Sequence, residues 1–151
     1  MATYANPNQF KVGQIVGAPT GRANNNVFFC TIDPASVSTI VGGSIVKLKA
    51  GAGPQTLVDL AAVTDTPLGV VAWNAKKNTY AAGDVVQVLC VGSHVFLETG
   101  AAVSRGARLK FTTSSIVTTH AATNAIIGKA WGQAAASGDV IEVEIAPEVS
   151  Q

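Results

Sequence analysis

The sequence predicts an all-β protein: a small β-barrel or β-sandwich with internally repeated Gly-Asp strand units, an extended N-terminal arm and at most one short helix. Three observations lead to this prediction. A strand, turn, strand unit containing a Trp and a Gly-Asp pair occurs twice, four glycines introduce strands with one shared alternation, and turn residues separate short β-branched runs. Short strands with frequent turn signals are typical of sandwiches and barrels.

The repeated unit is a predicted β-hairpin. Its first copy reads LGVVAW at residues 68–73 and, after a polar loop, GDVVQVLC at 83–90. Its second copy reads IGKAW at 127–131 and, after an Ala-rich loop, GDVIEVEI at 138–145. Only the first copy has a Pro-Leu pair before its Trp strand, so the sequence predicts a partial internal symmetry.

Four strands are predicted to follow glycines at tight turns, where positive φ has no steric cost for Gly. These glycines are Gly43, Gly83, Gly106 and Gly138. Alignment on them gives two apolar columns. The third residue after the glycine is Val46, Val86, Leu109 or Ile141, and the fifth is Leu48, Val88, Phe111 or Val143. The column between them is polar: Lys47, Gln87, Lys110, Glu142. This alternation predicts strands with one buried face.

The remaining chain divides into an N-terminal arm with a first strand, residues 1–32, and a β-domain, residues 33–151, within a single domain. The arm is polar and interrupted by proline, with a possible short strand at 12–16, and it cannot form a core of its own. The apolar run VFFCTI at 27–32 predicts a strand in a core or an interface. Residues 55–63 suit a short helix or a strand, and we favour the helix.

The composition favours assembly. The chain is 48% hydrophobic and only 13% charged, whereas a typical soluble domain is about a quarter charged. Such a chain either enters a membrane or covers its surface with partners, and no apolar run approaches the roughly 20 residues of a spanning helix. The net charge of +1 and the lack of aromatics among the basic residues argue against nucleic-acid binding. No basic start with an apolar core marks the N-terminus for export.

The charges are unevenly distributed. All ten Lys and Arg precede Gly132, whereas Asp139, Glu142, Glu144 and Glu148 follow it. The acidic end could meet a basic face of another subunit, or it could be a solvated edge strand that resists unwanted pairing.

Motifs for catalysis are missing from the sequence. It contains no phosphate-binding glycine loop, zinc-ligand spacing or Gly-x-Ser-x-Gly elbow, so we predict no enzyme, cofactor or metal. Cys30 and Cys90 lie among apolar residues and are predicted to be reduced core thiols. His94 and His120 stand alone in sequence and are predicted to be non-catalytic.

Two further pairs have structural explanations. Asp84 and Asp139 occupy matching turn positions, where a carboxylate bonds nearby backbone amides; a metal shared between them lacks further acidic ligands. Trp73 and Trp131 end equivalent strands, which favours matching core or interface anchors over a sugar-stacking platform.

The pattern PLGVV at 67–71 followed by GDVVQV at 83–88 resembles the small capsid decoration, or cement, proteins of tailed bacteriophages. The resemblance covers roughly residues 40–146. It implies a non-enzymatic protein that is made in the host cytoplasm and binds the exterior of the virion capsid. Its partners would be the major capsid protein and further copies of itself, with a trimer favoured over a dimer, and its role would be to brace the shell.

Eight residues are the candidates for the capsid or subunit interface. They are Tyr4, Phe10, Arg22, Phe28, Val85, Leu89, Trp73 and Trp131. We expect the arm, about residues 2–22, to reach the capsid or a neighbouring subunit. Two alternatives stay open: a carbohydrate-binding β-module, which needs an exposed Trp73 or Trp131, and a small hydrolase or isomerase, which needs a histidine beside a carboxylate in a pocket.

Overall fold

The computed structural model describes residues 11–15, 26–51, 53–121 and 123–148. These residues form twelve strands and no helix, which confirms the all-β prediction. Among them there is accordingly no helix long and apolar enough to cross a membrane. Residues 55–63 contain a strand, so the favoured short helix is wrong there: Val58 of that strand is fully buried in a sheet ladder.

The first half of the chain forms a closed five-stranded barrel in the order β1-β4-β3-β5-β7. Its strands are β1 Val27–Ile32, β3 Ile45–Leu48, β4 Leu57–Leu60, β5 Gly69–Val71 and β7 Val85–Leu89. A two-stranded sheet of β2 Ile40–Val41 and β6 Thr79–Tyr80 accompanies it. The barrel closes where β1 pairs in parallel with β4, at Thr31 and Ile32.

The second half forms a five-stranded sheet in the order β10-β9-β11-β12-β8. Its strands are β8 His94–Glu98, β9 Arg108–Phe111, β10 Val117–Thr119, β11 Ile126–Ala130 and β12 Val140–Glu148. The two outer strands approach each other through one parallel bridge, between Thr99 and Val117.

The two halves are copies of one arrangement. Strands β1, β3, β4, β5 and β7 correspond in chain order and in sheet order to β8, β9, β10, β11 and β12. The register corresponds as well: Val46 faces Gly69 as Leu109 faces Gly128. The repeat therefore includes all five strands of both sheets, which is more than the partial symmetry expected from the Trp hairpins.

The glycine turns are conformationally equivalent, as predicted. Gly43, Gly83, Gly106 and Gly138 have φ of 91°, 84°, 87° and 91°. The carboxylate of Asp84 accepts the Ala81 N–H at 2.9 Å, and that of Asp139 accepts the Ala135 N–H at 2.8 Å. These bonds confirm the structural interpretation of the two aspartates.

A second pair of glycines fixes the close packing of the central strands. A Cβ on Gly69 would overlap the carbonyl oxygen of Leu89, and a Cβ on Gly128 would overlap that of Glu144. Leu89 and Glu144 are themselves equivalent positions of β7 and β12. Both halves thus require a residue without a side chain at this point.

Two apolar cores hold the protein together. The interior of the barrel forms one core around residues such as Cys30, Val46 and Val86. The other core joins the halves, because it contains the interior side chains of the second sheet together with Ile45, Val70 and Leu89 from the outside of the barrel. We call Ile45, Val70 and Leu89 the first wall. The Ile45 N–H also donates to Ser115 Oγ of the second half at 2.8 Å.

Residues 11–15 of the arm pack on their own domain. Ile15 bridges Val95, the Gly13 N–H donates to the Phe96 carbonyl oxygen at 2.7 Å, and the Phe96 N–H donates to that of Gln14 at 3.0 Å. The segment therefore adds to the free side of β8, with Val12 and Ile15 against the shared core.

Candidate functional site

One end of the barrel exposes apolar side chains. The strands β1 and β5 begin at this end, and the strands β3 and β7 finish there. This follows from three antiparallel pairs: β1 with β7, β7 with β5, and β5 with β3. Phe28 and Leu48 have the barrel-facing parity of their strands at this end, yet their side chains are 52% and 59% exposed. We call this end, with the half-buried Leu68, the open mouth. The exposure of Leu48 corrects the prediction that its whole column is buried.

The equivalent end of the second half is closed. Phe28 corresponds to Val95, because Phe28 faces Val88 on β7 and Val95 faces Val143 on β12. Leu48 corresponds to Phe111, because Leu48 faces Val58 on β4 and Phe111 faces Val117 on β10. Val95 is 0% exposed and Phe111 is 1% exposed. Both lie in the shared core with the first wall, which closes this end.

The outer face of β1 and β7 also exposes apolar side chains. Phe29 on β1 is 69% exposed and Val85 on β7 is 60% exposed. They lie on the same face, because Phe29 is opposite Gln87, two residues from Val85. They line a groove of about 230 Å³ together with apolar and polar residues: Ala72, Tyr80, Asn74, Lys77 and Gln87. The apolar residues Phe29 and Val85 therefore leave the outer face of this hairpin uncovered.

The wall of the second half has the opposite chemistry. Arg108, Lys129 and Glu144 occupy the positions of Ile45, Val70 and Leu89, and we call them the second wall. Arg108 pairs with Glu148, and Lys129 lies 5.8 Å from the centre of the Trp131 ring. Charged groups therefore face solvent where the first half buries aliphatic side chains.

The structure separates the eight predicted interface residues. Tyr4, Phe10 and Arg22 lie outside the described residues. Phe28 is exposed at the open mouth, and Val85 is exposed on the outer face of the barrel, at the start of β7. Leu89 is fully buried in the first wall, so its contact is with the second half of the same chain and not with a partner.

The two tryptophans differ in their surroundings, and neither belongs to a core cluster. Trp73 is half-buried, and its backbone N–H donates to the Gly13 carbonyl oxygen at 2.9 Å. Trp131 is 38% exposed, and its indole N–H donates to Glu144 Oε2 at 2.8 Å. Core anchoring is therefore wrong for both, and an interface role stays a prediction.

His94 lies beside a carboxylate, contrary to its isolation in sequence. Its Nδ1 is 3.6 Å from Glu142 Oε2, and its ring meets the Trp131 ring edge-on with centroids 4.8 Å apart. The His94 and Glu142 side chains are only 5% and 9% exposed, so a substrate in solution cannot reach the pair. The burial of Glu142 also corrects its expected outward position. The His120 ring bonds the Asn124 carbonyl oxygen at 3.1 Å.

The cysteines are buried and unbridged, as predicted. Burial raises the pKa of both thiols, and burial together with the nearby Cys30 raises that of Cys90 to about 11. A thiol with this pKa stays protonated at neutral pH and is a poor nucleophile. In the described part of the chain, no three His, Cys, Asp or Glu side chains are grouped in a way that could hold a metal ion.

Sequence reasoning missed Phe29 and Leu48. A signal for Phe29 was present, since the run VFFCTI is apolar on both strand faces and a small barrel has only one apolar interior. Leu48 carried no such signal, because it belongs to a column whose other three members are buried.

Comparison with known proteins gives a family and a fold. The model of the family described as phage cement protein matches residues 23–145. Among solved structures, the chain is similar to the head fiber gp8.5 N base in bacteriophage phi29, with a TM-score of 0.56 and 16% sequence identity over 84% of this chain and 99% of that one. At this identity the likeness concerns the fold alone. No curated protein matches the sequence.

Proposed function

Because the chain belongs to the phage cement protein family, we propose that it binds the outer surface of a phage capsid as an oligomer and stabilises the shell. Within this family-level role as a structural phage protein, the observation that supports a specific attachment surface is the exposure of Phe28, Phe29, Leu48 and Val85 on one half of the molecule. We call these four residues the attachment surface. Large apolar side chains exposed on one part of a molecule mark protein interaction sites.

The second half indicates what kind of partner the open mouth accepts. There, the equivalent end is closed by three aliphatic side chains from neighbouring strands, the first wall. The open mouth of the first half has the same strand arrangement and apolar side chains, Phe28 and Leu48, at its rim. We therefore expect an apolar ridge of the capsid protein to fill it.

A second copy of this chain is a poor candidate for that ridge. The first wall is already buried within its own molecule, and the second wall carries Arg108, Lys129 and Glu144. Burying these charges against Phe28 and Leu48 without partners would cost several kcal/mol per ion. Head-to-tail chains of the protein are thus disfavoured, which leaves the open mouth for the capsid.

The proposed oligomer strengthens a weak contact. If each subunit presents one attachment surface, a trimer engages three sites at once, and avidity raises the overall affinity by roughly 10²–10⁴. Subunit contacts through Trp73 and Trp131 are part of this proposal. Sedimentation equilibrium of the purified protein would give the number of subunits directly.

Co-sedimentation with phage heads assembled without the protein tests the function. We expect saturable binding at a fixed number of copies per capsid subunit, and greater resistance of the loaded heads to heat. The double variant Phe28→Ser/Leu48→Ser should lose binding while keeping its unfolding midpoint, because both side chains are more than half exposed. Val37→Ser is the matched control, since Val37 is fully exposed but lies outside the attachment surface. No binding of the folded wild-type protein would refute the capsid role.

The arm is proposed as a second contact with the capsid or a neighbouring subunit. Residues 11–15 are bonded to β8 and Trp73, so a deletion should spare them. Removal of residues 2–10 is expected to weaken head binding or oligomer formation without unfolding the β-domain. Unchanged binding and unchanged subunit number would remove the arm from the proposal.

Carbohydrate binding stays a second candidate because Trp131 is exposed beside Lys129 and Glu144. An indole face with nearby polar groups can stack on a sugar ring. Titration with mono- and oligosaccharides should quench the fluorescence of the wild type but not of Trp131→Phe if this candidate is right. Saturable head binding without any such quenching would favour the capsid role.

A further inference from the structure

The edge of β1 near Phe29 has backbone groups that point away from the barrel ladder. In β1, Ile32 exchanges backbone hydrogen bonds with the β7 side, through Asp84 and Gly83. Backbone groups alternate in direction along a strand, so Cys30 and Phe28 also face β7, whereas Thr31, Phe29 and Val27 face the other side. There the Thr31 N–H donates to the Thr56 carbonyl oxygen at 2.9 Å.

The neighbouring strand does not extend as far as Phe29. β1 and β4 pair only at Thr31 with Leu57 and at Ile32 with Val58. Within the described residues, no backbone group bonds the N–H or the carbonyl oxygen of Phe29. Phe29 thus presents one donor and one acceptor at an exposed edge, beside an aromatic side chain that is 69% exposed.

The second half shows an occupied edge at the equivalent position. Phe29 corresponds to Phe96, because Phe29 faces Gln87 as Phe96 faces Glu142. The Phe96 N–H donates to the Gln14 carbonyl oxygen, and its own carbonyl oxygen accepts the Gly13 N–H. An extended segment therefore fits beside this strand of the fold, in antiparallel orientation.

From this equivalence we propose that the edge of β1 at Val27–Phe29 binds an extended segment of the capsid protein by strand addition. The inference rests on the proposed function and specifies its mode of attachment. The incoming segment is uncharged, with apolar side chains at alternate positions. The edge residues Asn26, Val27, Phe28 and Phe29 carry no charge, and a charged side chain placed against exposed Phe28 and Phe29 would lose hydration without gaining a partner.

The chemistry of the edge distinguishes this partner from a second copy. The segment that fills the edge of β8, residues 11–15, is used within its own chain and closes the shared core through Val12 and Ile15. The open mouth lies at the start of the same strand, and the second wall cannot fill it. Capsid protein that fills the mouth is thus adjacent to the edge, and main-chain bonds would give the affinity while the mouth gives specificity.

A pair of substitutions at Phe29 separates backbone bonding from side-chain contact. Phe29→Ala removes the aromatic ring and keeps the N–H, whereas Phe29→Pro removes both. Proline is tolerated where the lost N–H faces outward from an edge strand. We expect Phe29→Ala to weaken head binding about fivefold to tenfold and Phe29→Pro a further fivefold, because the one lost hydrogen bond contributes about 1 kcal/mol. Equal affinities of the two variants would overturn strand addition while leaving capsid binding intact.

Amide hydrogen exchange supplies a readout that also detects misfolding. In the free protein the Phe29 amide should exchange fast and the Phe28 and Cys30 amides slowly, because only the latter two belong to the β1–β7 ladder. On wild-type protein bound to heads, the Phe29 amide should become protected by at least tenfold. Protection of Phe29 already in the head-free oligomer would identify a second copy as the occupant and overturn the proposal. Absence of head binding would instead refute the proposed function.

Discussion

The two halves of this protein share strand order, register and turn glycines, but they differ in what they leave uncovered. The first half buries an aliphatic wall, Ile45, Val70 and Leu89, and exposes the end of its barrel at Phe28 and Leu48. The second half covers the same end, with Val95 and Phe111 buried, and exposes a charged wall. The first wall therefore packs against the end of the second half. The open mouth of the first half stays uncovered, and the charged second wall cannot fill it.

This difference separates stability from binding. Side chains at one structural position stabilise the fold in the second half and are available to a partner in the first. A repeat protein can thus keep a scaffold and a binding site at equivalent places, because changing a few side chains decides which surfaces pack internally. Four sets of substitutions test this interpretation.

Conversion of the second wall into the first should have the largest effect. The triple variant Arg108→Ile/Lys129→Val/Glu144→Leu would place an apolar wall on the outside of the molecule, complementary to the open mouth of another copy. Such a head-to-tail contact does not close, so open-ended chains are expected. Sedimentation velocity should show size increasing with concentration, and adding Leu48→Glu should suppress it. A triple variant with unchanged size at every concentration would contradict the equivalence of the two walls.

Equivalent truncations should differ strongly between the halves. Phe111→Ala is expected to lower the free energy of unfolding by about 3–5 kcal/mol, because Phe111 lies in the shared core. Leu48→Ala is expected to change it by about 0.5 kcal/mol or less, because that side chain is mostly exposed. Denaturant unfolding measures both values. Similar losses at the two positions would mean that the open mouth is covered in the isolated protein.

The central glycines should behave alike in both halves. Gly69→Ala and Gly128→Ala each place a Cβ against a backbone carbonyl oxygen, of Leu89 and Glu144 respectively. We expect each variant to lose about 1–3 kcal/mol of unfolding free energy, as is usual for overpacking. Gly53→Ala is a control with open space around the added carbon but a positive φ of 106°. If only one of the two variants lost stability, the packing around the two glycines would differ although their strand register is the same.

The smallest expected effect concerns acid sensitivity, which differs between the halves at one position. Asp65 stands four residues before Gly69 as Asn124 stands four before Gly128. The hydrogen bond from Lys47, followed by that from the Ala62 N–H, lowers the pKa of Asp65. A carboxyl with a lowered folded-state pKa adds stability above its unfolded pKa of about 3.9, and this stability is lost as pH falls through the folded value.

Asp65→Asn should therefore reduce stability near pH 7 and make the loss of stability below about pH 4 shallower. The pair is partly exposed, at 30% and 29%, so screening limits the effect to about 1 kcal/mol or less. Urea unfolding at a series of pH values measures it. Lys47→Met should produce part of the same flattening, because the Ala62 N–H still lowers the pKa of Asp65, and the double variant should add nothing to Asp65→Asn. An unchanged slope in both single variants would exclude this ion pair as the source.

Much of the scaffold is predictable from the sequence because it depends on local rules. The glycine turns need positive φ, and strand alternation follows from one-sided burial, so Gly43, Gly83, Gly106 and Gly138 mark their strands correctly. The full duplication is not visible, because β1 and β8 share few residue types beyond Phe29 and Phe96. Their equivalence is defined by register, which the sequence does not contain.

The candidate site was less predictable for a physical reason. Whether Leu48 or Phe111 is buried depends on which wall packs against which end, a contact between elements far apart in the chain. The sequence indicated Phe28 and Val85 correctly as apolar residues of strands, but it placed Leu89 at a partner interface when it belongs to the first wall. Apolar character alone does not tell an internal contact from an external one.

Gly13 has a mechanical consequence. Its N–H bonds to Phe96 in the second half, and its carbonyl oxygen accepts the Trp73 N–H in the first. A pull applied to the chain ahead of Lys11 would consequently reach the first half through Gly13 and the second half through Gly13 and Gln14. If the protein braces a capsid, as proposed, strain in the shell would reach it through its attachment points. A clamp of this kind would let a tether at the amino end transmit tension into the whole body of the protein without peeling one strand from its edge.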